Sequence, residues 1–271
     1  MRCIALGLRR RATCEQVFIS DRWFKQVADH RVSRRSGSLA QLSTETNGED
    51  GGRTRTRTLN TILVHHPDCE LHNIAGHPER PARVKVIMSA LRKAFPGMAE
   101  LLAPEVTLEQ ILRVHPQEHV DNILECLRLA EAAPAPPLLP HPQGAIKPTV
   151  EKGNAVVRID MDTAVMPGSR WSIMRAAGAL CLAVDEVMSG RATNAFCCVR
   201  PPGHHAEPAK AMGFCFFSNA TIGARHAQEV HGVERVAVID FDVHHGNGTQ
   251  QCFKHDPTTF YGSTHQVRGR E

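Results

Sequence analysis

The sequence has no CxxC pair among its nine cysteines, no large surplus of either charge, and no long apolar run. Without CxxC spacing, a zinc ribbon or a thioredoxin-like redox pair is excluded. The cysteine number is odd, and Cys181, Cys197, Cys198 and Cys215 sit inside apolar runs, which argues for reduced core thiols over a disulfide framework. A net charge of +4 over 271 residues is too small to argue for nucleic-acid binding. No stretch approaches the roughly 20 apolar residues that a membrane-spanning helix needs, so no membrane partner is expected. The first residues also lack the apolar core of a secretory signal. Acids are few before Glu45, whereas arginines are many (Arg2, Arg9, Arg10, Arg11, Arg22, Arg31, Arg34, Arg35). Residues 1–58 therefore have the composition of an organelle transit peptide or of a disordered basic extension. This directs the chain to a plastid or mitochondrion, the alternative being nucleus or cytoplasm. The alternation from Arg53 to Thr58 reads as a solvated linker.

Histidine is abundant, at 16 residues, and several are paired: His65-His66, His204-His205 and His244-His245. That raises the expectation of a metal site or of acid/base chemistry. The folded part is expected over 60–271. Thr61 to Val64 is a β-branched run suited to a buried strand. From Pro81 to Phe95, Val84, Ile87, Met88, Leu91 and Phe95 recur at helical spacing. Leu108 to Val114 and Pro116 to Leu129 form a second helical pair, and prolines between 134 and 148 make a long irregular loop. Further on, helices at Gly168–Met188 and Ser218–Val230 and near Thr249–Phe253 alternate with strands at Ala195–Val199, Val236–Ile239 and Thr258–Ser263. Apolar strands alternating with helices imply an α/β fold, a parallel sheet with helices on both faces. Ligands collect at the carboxyl ends of such strands.

Two histidine loops sit at those ends. In Val238-Ile239-Asp240-Phe241-Asp242-Val243-His244 the polar residues fall at every second position, so an extended chain sends Asp240, Asp242 and His244 to one side. Asp242 and His244 are then candidate ligands of one divalent ion, with Asp240 in a supporting role. Carboxylate plus imidazole suits zinc, with Fe(II) or another borderline metal possible in principle. An Asp after an apolar strand is also a common turn residue, but the run DxDxHHGNG is longer than that explanation needs. In Arg200-Pro201-Pro202-Gly203-His204-His205-Ala206 the prolines and glycine shape the backbone, and a bend turns adjacent imidazoles into one pocket. Their use is general acid/base work beside an activated water, each held by a partner on its other nitrogen.

These two stretches, with Gly213-Phe214-Cys215-Phe216-Phe217-Ser218-Asn219, His77-Pro78-Glu79-Arg80-Pro81 and Asp162-Thr163, closely resemble the zinc-dependent histone deacetylase family on its class II-like side. The likeness runs from about Leu63 to Gln266. It implies an arginase/deacetylase-like fold and hydrolysis of an acetylated amine, typically N-acetyl-lysine in a protein. By position in the motifs, Asp242 and His244 match zinc ligands. His204 and His205 match the tandem histidines, Asp240 the partner of the first, and Asn247 stands at the partner of the second. Phe214 and Gly213 match the acyl-lysine channel, Asp162 the rim aspartate, and Arg83 the inner-channel arginine. Asp240, Asp242, His244 and Ser263 resemble a structural potassium site.

The departures are equally specific. The family's third zinc ligand is an aspartate in a later loop, and its transition-state tyrosine lies in a later Gly-Gly-Tyr turn. Neither segment follows His244 here. Asp256 precedes a strand and is expected at its far end, and the single tyrosine, Tyr261, lies within that strand. The sequence thus reads as the N-terminal portion of such a domain, incomplete at the C-terminus, as in a truncated product. Zinc binding with two ligands is expected to be weak, loss of an oxyanion donor costs about 100- to 1000-fold in rate, and an open strand edge is an aggregation hazard. The alternatives are therefore a zinc deacetylase, an acetylated small-amine amidohydrolase, or a catalytically inactive form acting by binding. A two-manganese ureohydrolase is disfavoured, since it wants more carboxylates.

Overall fold

The computed structural model describes residues 60–132 and 156–267 in full, together with the backbone of a few short strands outside those ranges. Apart from residues 16–20, the proposed transit peptide with its Arg-Thr alternation lies outside the described residues, as does much of the proline-rich stretch. Within the basic N-terminal region, β1 (Gln16–Ser20) is a strand. In the proline-rich region β4 (Pro140–His141) pairs antiparallel with β5 (Gly144–Ala145), and β6 (Pro148–Glu151) pairs antiparallel with the strand that follows at Asn154–Arg158, where an irregular loop was expected.

The main sheet has the order β1-β9-β2-β3, with β2 at Thr61–His65, β3 at Ala99–Leu102 and β9 at Asn194–Cys198. β2 lies parallel to both β3 and β9, and β1 runs antiparallel to β9. Alternation along β2 divides its side chains. Ile62 and Val64 join Cys197 and Ala195 in one core with α4 (Ser169–Met188) and α5 (Asn219–His231). Leu63 joins Cys198 on the opposite face, against Val84 and Met88 of α1 (Ala82–Ala94). Helices thus cover both faces, as expected from the sequence. Leu63 is completely buried, and burial of a side chain of this size stabilises by about 1.5–3 kcal/mol.

Helix α4 buries residues around most of its circumference, including Ile173, Ala177, Leu180 and Val184, because small residues let neighbours approach from several sides. A second core gathers Ile123 and Leu127 of α3 (Gln117–Glu131), Ile111 of α2 (Leu108–Leu112), and Phe216, Phe217 and Ile222. Helix α2 opens with a capping box in which Thr107 and Gln110 bond reciprocally. β7 (Asn154–Arg158) and β8 (Ala164–Val165) pair antiparallel and carry the Asp160–Thr163 turn.

β10 (Val236–Asp240) and β11 (Thr259–Ser263) make a separate parallel pair, joined through α6 (Asn247–Phe253). Among the described residues no ladder connects β9 to β10. Instead Val236 and Val238 share a core with β9 and α5. No described helix is long and apolar enough to cross a membrane.

Candidate active site

The two histidine loops leave β9 and β10 and meet. The first is held from below by a buried ion pair. Arg200 is wholly inaccessible, and its Nε donates to Glu79 Oε1 at 2.8 Å while its second terminal nitrogen bonds Glu79 Oε2. Its remaining amino group donates to the Cys69 carbonyl at 2.8 Å. The stretch after the histidines is laced to α3 and the turn before it: His115 Nδ1–H donates to the Pro208 carbonyl at 2.9 Å and its Nε2 accepts from the Ser218 amide at 2.9 Å. His119 Nε2–H donates to the Phe216 carbonyl. Accepting the Ser218 amide requires a neutral His115 ring. Burial accordingly pushes His115 down to about 4 and lowers His119 below the usual imidazole range.

The tandem rings lie 4.1 Å apart and have different partners. His204 Nδ1–H donates to Asp240 Oδ2 at 2.9 Å, and His205 Nδ1–H donates to Asn247 Oδ1 at 2.8 Å. Burial on its own would raise the Asp240 carboxyl. The His204 hydrogen bond and charge, with the Asp242 amide and the Tyr261 hydroxyl, hold it below the usual carboxylate range instead. His205 is lowered by burial and by the neighbouring His204. Each ring keeps its Nε2 turned from its partner, and that of His204 lies 4.0 Å from Asp242 Oδ1.

Asp242 and His244 lie side by side, in a bend beyond the end of β10 and not on an extended chain: Asp242 Oδ1 lies 3.1 Å from His244 Nδ1 and accepts the His244 amide at 2.8 Å. Carboxylate and imidazole together are a suitable donor pair for a zinc-like ion. Among the described residues, the one group of three such ligand atoms within 4.8 Å of one another lies elsewhere: Asp185, His226 and His231. That group is a hydrogen-bonded set. Arg113 can only donate, and its 3.1 Å contact to His226 Nδ1 leaves the ring proton on Nε2, which donates to Asp185 at 2.8 Å. A metal at Nε2 would need that position deprotonated.

The predicted channel residues assemble around the Asp160–Thr163 turn. Thr163 Oγ1 accepts from the Phe214 amide at 3.0 Å, and the Asp162 carbonyl accepts from His77 Nε2 at 3.2 Å. His77 stands edge-on to Phe214, with centroids 4.6 Å apart. Phe214 holds a left-handed backbone (φ 69°), an uncommon conformation for a bulky residue. Gly213 is left-handed too (φ 58°), and a Cβ there would run into the His205 ring. Arg83 lies 3.8 Å from Glu79, beside the buried Arg200 pair. Asp240 and Ser263 are paired in register across β10 and β11, but the Ser263 hydroxyl bonds His265 Nδ1 at 2.8 Å. Asp256 pairs with Arg225, away from the histidines, as its place before β11 implied.

Tyr261 plays a part that the sequence reading missed. Its hydroxyl donates to Asp240 Oδ2 at 3.1 Å and accepts the Gly246 amide at 3.1 Å, tying β11 and the second loop to the His204 partner. A Cβ on Gly246 would strike both Asp240 and Tyr261. The signal was the two-residue step from Tyr261 to Ser263, which puts both on the β11 side facing Asp240 only once the parallel register is known.

A sheet covered on both faces thus carries a tandem histidine pair and a carboxylate-imidazole donor pair in the loops at its strand ends. The histone deacetylase domain family matches residues 77–270 of this chain. Histone deacetylase 14, chloroplastic, of Arabidopsis thaliana is 35% identical over 208 residues, 72% of this chain and 45% of that protein. The histone deacetylase-like amidohydrolase of Pseudomonas aeruginosa is 35% identical over 196 residues, 71% of this chain and 44% of that protein. The crystal structure of the HDA15 HD domain superposes with a TM-score of 0.64 at 32% identity, over 77% of this chain and 54% of that one. The chain belongs to the histone deacetylase family. It spans less than half the length of the two curated relatives named, 45% and 44%.

Proposed function

We propose that this chain carries the acid/base half and two metal ligands of a zinc-dependent deacetylase that hydrolyses N-acetyl-lysine in histone or other proteins. The observation that carries this is the unequal partnering of the tandem histidines. A carboxylate on Nδ1 stabilises the imidazolium of His204, which makes it the better base toward a water at its Nε2. An amide on Nδ1 gives His205 no such charge, so it releases a proton from Nε2 more readily, to a leaving amine. Asp242 and His244 would hold the metal, which when bound polarises the acyl group and the water. Asp162 and Phe214 would receive the acyl-lysine arm, with Gly213 making room for His205, and Arg83 would stand at the inner end. A potassium ion at Asp240, Asp242, His244 and Ser263 would brace the same loop.

An acetylated small amine is the second substrate reading, favoured by the likeness to an amidohydrolase. A further reading, in which the chain acts only by binding, is favoured by the single pair of metal donors. A relative named chloroplastic, together with the acid-poor, arginine-rich start, supports a plastid address, a mitochondrion or the nucleus and cytoplasm being the other outcomes. The test is zinc content and turnover of an acetyl-lysine peptide and of acetylated polyamines by the purified chain. Weak zinc uptake that is lost in Asp242→Ala, with turnover at added zinc that is lost in His204→Ala, is the expected result. Turnover that persists in both variants would overturn the proposal, and zinc without turnover would favour the binding reading.

A further inference from the structure

Asn247, the partner of His205, is an amide with an acceptor end and a donor end, so by itself it can face the ring either way round. Here its donor end is already engaged: Nδ2 donates to Glu207 Oε1 at 2.9 Å and lies 3.5 Å from Met212 Sδ. Turning the amide over would set its oxygen against the Glu207 carboxylate and lose that bond. The acceptor end is therefore left for His205, at 2.8 Å. Glu207 is itself placed by a tight turn in which its amide and carbonyl bond the carbonyl and amide of Lys210. The backbone N–H of Thr249 donates to the His204 carbonyl at 3.1 Å, which ties the helix beginning at Asn247 to the first histidine loop.

We infer that Glu207 is a positioning residue which, by locking the Asn247 amide, sets the tautomer of His205, with the proton on Nδ1 and Nε2 kept for proton transfer. This deepens the role proposed above for His205 and rests on it only for its use in turnover. With the amide reversed, an N–H would face His205 Nδ1. The neutral ring would then carry its proton on Nε2, and the imidazolium would meet a donor in place of an acceptor. His205 could no longer take up and release a proton at Nε2. No comparable lock is needed for His204, because both oxygens of Asp240 accept.

The experiment reads the ring directly. In protein with 15N-labelled histidine, long-range 1H–15N correlation at a pH where the ring is neutral shows which nitrogen of His205 carries the proton. The native chain should show Nδ1–H, and Glu207→Leu should give a mixture of tautomers. Adding Asn247→Asp should restore Nδ1–H in the Glu207→Leu background, since a carboxylate accepts whichever way it faces. If Glu207→Leu keeps Nδ1–H alone, the lock does not exist. If the mixture is not corrected by Asn247→Asp, Glu207 merely supports the turn to Lys210, and the inference fails equally. These readouts need no turnover, so they judge the lock separately from the proposed hydrolysis. Where hydrolysis is measured, Glu207→Leu should lower kcat by up to about 100-fold with KM unchanged.

Discussion

Glu79→Gln tests how the first histidine loop is held. Arg200 and Glu79 side chains are 0% and 1% exposed, so the substitution leaves a guanidinium without its counter-ion where water cannot reach it. Breaking such a pair from one side costs about 3–5 kcal/mol. With a urea slope of about 3 kcal/mol per molar, the unfolding midpoint should fall by about 1–1.7 M. A control is Glu70→Gln, which removes the Lys85 pair at 2.9 Å where the side chains are 60% and 40% exposed. An exposed pair contributes at most about 1 kcal/mol, equivalent here to about 0.3 M. Replacing both buried partners, Glu79→Leu with Arg200→Met, should recover most of the loss, less the bond from Arg200 to the Cys69 carbonyl. Urea titration followed by circular dichroism measures all three. A Glu79→Gln midpoint no lower than that of Glu70→Gln would refute the claim that this pair anchors the loop.

Buried neutral histidines make stability fall in mild acid. His72 is lowered to about 3 and His115 to about 4, mainly by burial, against about 6.5 when unfolded. Between those values the unfolded chain binds more protons, so stability is full above pH 6.5 and is lost as pH falls toward 4, at up to about 1.4 kcal/mol per pH unit for each ring. Urea midpoints between pH 7 and 4.5 check this, and a flat profile would contradict it. Gly213→Ala should lower Tm by about 3 °C or more, because it strains φ and displaces the His205 ring. Gly190→Ala, also left-handed (φ 78°) but in open space, should show the backbone cost alone in the same thermal scan. Phe216→Ala, at a site 1% exposed, should cost about 3–5 kcal/mol by urea unfolding.

Much of this architecture was legible in the sequence because it is written in local patterns. The β-branched run of β2, the 3.6-residue spacing of α1 and the proline and glycine punctuation of the histidine loops all act over a few residues. Asn247 beside His205 was legible from the motif resemblance, whereas Asp242 meets His244 through turn bonds past the end of β10 and not through strand alternation. β3 was missed because Ala99–Leu102 is short and mostly exposed, leaving no run of buried residues to read. The pairings that position the site join residues far apart in the chain: Arg200 with Glu79 across 121 positions, Ser218 with His115 across 103. No periodicity encodes such partners, and a polar residue destined for burial looks like any other until the fold supplies its counterpart. The partners of Tyr261 and Glu207 escaped notice for the same reason.

The absence of a ladder between β9 and β10 gives the tandem histidines a second duty. His204 and His205 follow β9, Asp240 ends β10 and Asn247 opens α6, so the bonds that tune the two rings are also rivets between two halves of the site that share one apolar core. Strength of attachment and acidity are then one variable. A substitution that retunes either imidazole also loosens the seam, and one that lets the halves slide changes the chemistry without touching a histidine.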